Sequence, residues 1–455
     1  MQGVPYDARQ TIRDGKGKWW EGLDPVDLYG PPHPIPRGPR RPENDPLLSP
    51  FANQFMWRVD DAITKYHPDI IYFDEHAGDS QVDLGVPMGL GFLGPRLAAN
   101  YYNKSLQWNH GAMEAVLNLK GVGGRYDSFQ DHPELLPLVD RSLVKSTEAI
   151  IEPQITPYSF QTEVTSGAWH YQAGQKYLEA RSVIRTLMQN VSRNGSLLLN
   201  ISLHGRGNLD PEAIQICRNV GAWLQANGEA VYASRPFEVS EEKSGAVCYT
   251  RNQGKVYATL LDWDGGPIRL GALRAGGATL GNVSKVELLG ADTPLPFAQN
   301  DQGLTVTPGG PVPPPAGAGR QSPATLGRVL RITHDRGWFN DDDPGATYPG
   351  WIRRCNLGTG DFNNDLTISE TPGDVWSCSF TGTGVTVIAP KSAGAGSIEV
   401  RIDGQTHATA DLSTGAMRLP QQAVCEVTGL TSGSHVIAII NRGPGPVAVD
   451  ALVVR

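Results

Sequence analysis

Asp69-Ile-Ile-Tyr-Phe-Asp74 is the stretch whose reading settles the fold. Four apolar residues between two acids are too few for a helix. They read as a buried parallel strand that delivers a carboxylate at its C-terminal end. Immediately upstream, Phe51 to Tyr66 reads as a helix, with Phe55, Val59, Ile63 and Tyr66 at helical spacing, and His67-Pro68 stops it. The same grammar recurs downstream. Ala115 to Leu119 is a second apolar run, a third is expected within Arg141 to Glu148, and a fourth within Tyr158 to Glu163. A helix is predicted from about Gln172 to Gln189. It leads through the turn Arg193-Asn194-Gly195 into the strand Ser196 to Ser202. Pro211 to Ala226 reads as an amphipathic helix, with Asp210 as its cap, Pro211 at the first position and Asn227-Gly228 closing it.

Strands and helices in alternation, with acids at strand ends, predict parallel β/α units of the (β/α)8 barrel type. About five strand candidates precede a change of period, against the eight of a closed barrel. The expected fold is therefore a partial (β/α)8 (TIM-type) barrel lacking its first strands, over residues 1–232. From there the apolar runs shorten and are split by Gly and Asp turns, at 247–250, 256–261, 268–270 and 283–289. This is the pattern of an antiparallel β-sandwich, expected over 233–334 and completed by Val329 to Ile332 after the Pro- and Gly-rich segment 308–319. A second all-β module is expected over 335–455, with strands at 385–389, 397–402, 424–427, 435–440 and 447–454.

The chain has 455 residues, 39% hydrophobic and 19% charged, which is the balance of a folded globular protein. Its formal net charge of −8 opposes binding to nucleic acid, which needs clustered Lys and Arg. No run approaches the roughly 18–20 apolar residues of a membrane span. Ten tryptophans suit either core filling or platforms for sugar faces. The cysteines Cys217, Cys248, Cys355, Cys378 and Cys425 form no C-x-x-C pair, and no His stands at zinc-ligand spacing. A Cys355–Cys378 disulfide and free buried thiols are both open readings.

Cleaving a glycosidic bond usually takes two carboxyl groups, one attacking the anomeric carbon and one protonating the leaving oxygen. In a β/α barrel both belong at C-terminal strand ends. Asp74 satisfies this by position, although Glu75, His76 and Asp79 crowd the same loop and a loop-anchoring role fits equally.

Several motifs together resemble one family. They are Tyr66-His67-Pro68-Asp69 followed by Tyr72-Phe73-Asp74; Asn190-Val-Ser-Arg-Asn-Gly-Ser-Leu-Leu-Leu-Asn-Ile-Ser202; Val220-Gly-Ala-Trp223 through Arg235-Pro236; Asp24-Pro25 with Leu28-Tyr29-Gly30-Pro31; and Gln161-Thr162-Glu163 with Trp169-His170-Tyr171. Over roughly residues 1–334 the chain is similar to glycoside hydrolase family 29, the α-L-fucosidases. The resemblance implies a retaining exo-α-L-fucosidase acting on terminal fucose of glycans, with no cofactor and no metal. It implies Asp74 as nucleophile and Glu148 as general acid/base, with Glu163 and then Glu114 as alternatives for the second role. An acid in that role is expected to be buried with its pKa raised. Trp57, His76, Lys120, Glu163 and Trp169 are the residues expected around the sugar. An extracellular or periplasmic location and a fucosylated oligosaccharide or glycoconjugate as substrate go with the family. Ahead of Met1 the family has three strands with a His-rich motif and a Trp, so the chain is expected to be a fragment of low activity. The last 120 or so residues, with Trp338 to Asp343, Tyr348 to Trp351, Phe380 to Val385 and Val449-Asp450-Ala451, resemble jelly-roll carbohydrate-binding modules. Their Asp cluster is read as solvated turn acids, with a structural calcium as the alternative. The rival reading for the whole chain is a non-catalytic carbohydrate-binding protein on a degenerate glycosidase scaffold.

Overall fold

The computed structural model describes residues 10–29, 49–73, 94–111, 113–120, 142–156, 158–275, 280–291, 293–308, 326–335, 337–343, 345–354, 361–362, 365–415 and 418–455. The chain divides into two compact units, Met1–Ser146 and Thr147–Arg455.

In the first unit, a one-turn helix α1 (Pro25–Tyr29) precedes α2 (Ser49–Tyr66). Ile63 of α2 is fully buried and Phe55 and Val59 are half-buried, but Tyr66, expected on the same face, is exposed. The reason is local: His67 takes a left-handed backbone (φ 45°) ahead of Pro68, which unwinds the helix just after Tyr66. His67 stacks on Trp108 at 3.8 Å, at the end of α3 (Gly94–Trp108). This helix is absent from the sequence reading. Asp60 of α2 pairs with Lys104 of α3 and accepts a bond from Asn100 at 2.6 Å. Strand β1 (Ile70–Phe73) runs parallel to β2 (Val116–Lys120) with Ile70 opposite Val116, and β2 runs parallel to β3 (Leu143–Glu148) with Leu117 opposite Leu143. Leu117, Leu119 and Leu143 are buried, as expected of parallel strands covered on both faces, but β1, expected to be buried, is only half-buried from Ile71 to Phe73 and leaves Ile70 58% exposed.

The unit boundary falls inside β3. In the second unit, β4 (Phe160–Thr165) pairs in parallel with β5 (Gly195–Asn200), from Phe160 opposite Gly195 to Thr165 opposite Asn200. The turn into β5 uses two residues for two reasons. Asn194 carries the positive φ (76°), and Gly195 leaves room for the Phe160 ring, which a Cβ would meet at 2.3 Å. Helix α4 (Ala180–Val191) begins eight residues later than the predicted start at Gln172, because 172–179 form a loop bonded to neighbouring side chains. Helix α5 (Pro211–Asn227) buries Ala213, Ile216 and Trp223.

Both helices pack on a six-stranded antiparallel sheet, in the order β11-β10-β14-β8-β7-β6. Its strands are β6 (Arg235–Glu242), β7 (Val247–Asn252), β8 (Lys255–Leu260), β10 (Val283–Leu288), β11 (Thr293–Pro294) and β14 (Arg328–His334). Strands β9 (Ile268–Leu270), β12 (Phe297–Asn300) and β13 (Gly303–Val306) form a second sheet, and Tyr249, Leu270, Leu304 and Leu330 fill the space between. The Trp223 indole N–H donates to Gly327 O at 3.0 Å, pinning α5 to the start of β14.

The C-terminal sandwich has one sheet in the order β15-β24-β19-β22-β20-β21 and a smaller one in the order β17-β18-β23. Its strands are β15 (Gly337–Asn340), β16 (Ala346–Thr347, paired to β19), β17 (Ile352–Arg354), β18 (Leu366–Ser369), β19 (Val375–Lys391), β20 (Ser397–Ile402), β21 (Gln405–Asp411), β22 (Leu419–Gly443), β23 (Val447–Val449) and β24 (Ala451–Val454). Trp376, fully buried, centres the core with Val387, Ile398, Ile437 and Leu452. The two strands expected at 424–427 and 435–440 are one long strand, since both pair with β19 and a shift beside Gly382 and Gly384 absorbs the residues between them. The single closing strand expected at 447–454 is broken instead at Asp450, where the chain passes from one sheet to the other. Cys378 is a free thiol inside this core and so does not form the expected bridge, while Cys355 lies outside the described residues; burial and then Asp343 push the Cys378 pKa up to about 12.

Candidate active site

Strand β1 runs up to Phe73, the residue before Asp74. Asp74 and His76 lie outside the described residues, as does the side chain of Lys120 at the end of β2. Glu114 is exposed ahead of β2, and Trp57 is two-thirds exposed on α2.

In the second unit, the ends of β3 and β4 come together. Glu148 is the last residue of β3 and half-buried, and Ala149 turns left-handed (φ 54°) straight after it. Ala149 N–H donates to Glu163 O at 2.8 Å, so Glu148 stands beside the Glu163 backbone on the neighbouring strand. Ile150 O secures this join by accepting from both Thr147 Oγ1 (2.9 Å) and Thr162 Oγ1 (2.8 Å). Thr162 also sits 2.6 Å from Asn190 Oδ1, which ties β4 to α4. Glu163 is 3% exposed. Trp169, 42% exposed, lies on the loop after β4, its carbonyl held by Asn200 Nδ2 at 3.3 Å from the end of β5.

That loop carries a hydrogen-bond relay absent from the sequence reading. Gln175 Nε2 donates to Tyr177 Oη (2.6 Å) and to Ser202 Oγ (2.9 Å), and the Tyr177 hydroxyl donates to Asp210 Oδ2 (2.8 Å). Asp210 Oδ1 lies 2.8 Å from His204 Nε2, and the His204 ring stacks on Tyr171 at 4.0 Å. Asp210 does occupy the N-cap position of α5, but its carboxylate makes no cap bond there. The bonds from Tyr177 and then His204 hold it below the ordinary aspartate range. The signal for His204 was its place a few residues past the last parallel strand, and Asp210 was masked by its position ahead of Pro211. Tyr171, Gln175, Tyr177 and Asp210 line a groove of about 1080 Å³.

Carboxylates and aromatic side chains at the C-terminal ends of parallel strands are the layout of a glycoside-cleaving β/α site. Residues 29–229 match the family model "Alpha-L-fucosidase", and residues 240–333 match the model "Alpha-L-fucosidase C-terminal domain". The α-L-fucosidase of Branchiostoma floridae is 32% identical over 159 residues, 34% of this chain and 33% of that protein. The tissue α-L-fucosidase of Rattus norvegicus is 33% identical over 152 residues, 32% of each chain. The chain thus spans about a third of the length of the curated relatives it matches. Among solved structures, α-L-fucosidase isoenzyme 1 from Paenibacillus thiaminolyticus aligns with a TM-score of 0.46 at 19% identity, over 63% of this chain and 62% of that one. The α-L-fucosidase from Vibrio sp. strain EJY3 aligns with a TM-score of 0.46 at 15% identity, over 91% and 72%. With both domain models matched in order along it, the chain belongs to the α-L-fucosidase family.

Proposed function

We propose that this chain carries the catalytic acids of a retaining exo-α-L-fucosidase acting on terminal fucose of glycans outside the cytoplasm. Asp74 attacks the anomeric carbon to form a glycosyl-enzyme ester. Glu148 protonates the leaving oxygen and then draws the proton from the attacking water. The observation carrying the second assignment is the left-handed break at Ala149, which ends β3 on Glu148 and leaves this carboxylate half-buried at a strand end. Glu163, nearly inaccessible on β4, is the acid that meets the expectation of burial and stands as the alternative for this role. Trp57, His76, Lys120, Glu163 and Trp169 stand as the proposed surroundings of the sugar. Residues 1–232, 233–334 and 335–455 stand as the proposed domains. No helix among the described residues is long and apolar enough to cross a membrane.

The test uses nitrophenyl α-L-fucoside at enzyme concentrations high enough to read the low turnover expected of this chain, with the anomer of the first product read by NMR. Retention is expected, together with loss of turnover in Asp74→Ala. In Glu148→Gln, azide is expected to restore turnover by trapping the glycosyl-enzyme. Inverted product overturns the mechanism. Azide rescue in Glu163→Gln and not in Glu148→Gln moves the acid/base to Glu163. Fucoside binding without cleavage, in a chain of proven fold, supports the carbohydrate-binding reading instead.

A further inference from the structure

A group of aspartates lies buried in the C-terminal sandwich, where β15 ends, β18 begins and β23 passes to β24. Asp341, Asp342 and Asp365 present carboxylate oxygens that all lie within 4.8 Å of one another. Asp343, Asp361 and Asp450 stand close by and are also buried.

Among the described residues, four arginines answer these six acids. Arg251 reaches Asp343 at 3.2 Å, Arg353 reaches Asp342 at 3.1 Å and Asp365 at 2.5 Å, Arg235 approaches Asp342 at 3.5 Å, and Arg418 reaches Asp361 at 2.5 Å. Asp341 and Asp450 are left without an ion-pair partner among the described residues. Both are 0% exposed. Neither oxygen of Asp341 accepts a hydrogen bond among the described residues, and nor does Asp450 Oδ2. Among the described residues, Asp450 Oδ1 accepts from Phe362 N–H at 2.8 Å. The two residues are backbone neighbours, with Asp341 N–H donating to Asp450 O at 3.2 Å.

An acid network closed by arginines alone would leave two buried carboxylates uncompensated, an arrangement with a heavy desolvation cost. We propose that this cluster is a structural site for one divalent calcium-class cation, with Asp341, Asp342 and Asp365 as ligands and Asp450 flanking it. With all six acids ionised, the four arginines leave two positive charges wanting, which one divalent cation supplies. The donors are all oxygen, which selects a hard cation. Oxygens this close together can share a centre at about 2.3–2.6 Å, the calcium–oxygen distance. Magnesium keeps several of its waters and is poorly suited to a site walled off from solvent. The ligand backbones are already fixed: Trp376 Nε1 donates to Asp341 O at 2.8 Å, and Asp365 N–H donates to Phe362 O at 3.3 Å. The cation would fasten the turn after β15 to the start of β18, beside the sheet crossing at Asp450.

The experiment strips the full chain with EDTA and titrates it with CaCl2 by calorimetry. TbCl3 serves as a luminescent calcium substitute excited through the neighbouring Trp376. One ion per chain is expected, with terbium emission that calcium displaces and a calcium-dependent rise in the unfolding temperature. Asp341→Asn should bind at least about tenfold more weakly and lose the temperature shift, while Glu370→Gln, an exposed acid of the same sandwich, behaves as wild type. Asp365→Asn is the second ligand variant if Asp341→Asn fails to fold. The proposal is overturned if the stripped wild type takes up neither ion, or if a folded ligand variant binds as tightly as wild type.

Discussion

Two aspartates of the same chain, Asp210 and Asp341, meet opposite fates. Asp210 lies at the rim of a groove, where a tyrosine hydroxyl and a histidine ring nitrogen meet its two oxygens and its acidity is strengthened. Asp341 is sealed under the C-terminal sandwich, where burial and the Asp365 and Asp342 carboxylates push it well above the ordinary range. Near solvent, hydrogen bonds with a tyrosine and a histidine are enough to hold a carboxylate in place. Away from solvent, a carboxylate needs either a proton or an opposite charge, and the arginines reach the neighbouring acids and not this one. The strand-end region is organised by hydrogen bonds and open to a ligand. The acid cluster is organised by charge and closed.

The largest effect expected in the open region is on chemistry. Glu148→Gln should lower turnover of nitrophenyl fucoside by ~10²–10⁴-fold, the usual contribution of a general acid. Glu163→Gln should cost less turnover and more stability, and the reverse order would exchange their places. In the closed region the largest effect is on folding. Trp376→Ala removes a fully buried indole and its bond to Asp341 O, and should destabilise the C-terminal sandwich by about 3–5 kcal/mol in denaturant titration. Gly195→Ala places a methyl against the Phe160 ring and should cost about 1–3 kcal/mol, read by thermal unfolding. Tyr177→Phe removes the donor to Asp210 and should cost about 0.5–1.5 kcal/mol, with greater protease sensitivity in the 171–179 loop.

The smallest effect concerns pH. Bonds from Thr406, then Arg401 and Arg442, hold Glu399 at about 2, against 4.5 for an ordinary glutamate. Because the folded value is the lower one, this contribution is complete above pH 4.5 and fades as pH falls toward 2. Glu399→Gln should flatten that part of the stability profile, and an unchanged acid limb would show that these bonds persist in the unfolded chain.

Sequence patterning found the strands because their apolar runs are local. The β1, β2 and β5 runs and the α5 cap position all appear close to where they were expected. Helix α3 was missed because its buried Leu97, Tyr101 and Tyr102 are spread among Asn, Lys and Gln and no cap announces it. The late start of α4 was invisible because Gln175 and Tyr177 are held by Ser202 and Asp210, partners 27 and 33 residues away. The acid cluster was legible as composition only. Asp341, Asp365 and Asp450 converge through a sheet crossing at Asp450 that periodicity reads as one uninterrupted strand.

The position of β14 has a mechanical consequence. It is threaded between β10 and β8, and the C-terminal sandwich begins at Gly337, just beyond its end at His334. Tension applied through the far end of the chain therefore enters the preceding sandwich through an interior strand. An edge strand can be unzipped one bond at a time, whereas β14 has to shear two antiparallel ladders together. The Trp223 bond to Gly327 carries part of the same load into α5. The Arg251 pair with Asp343 and the Arg235 pair with Asp342 join the two sandwiches beside this strand, so the load is shared between the ladders and these ion pairs.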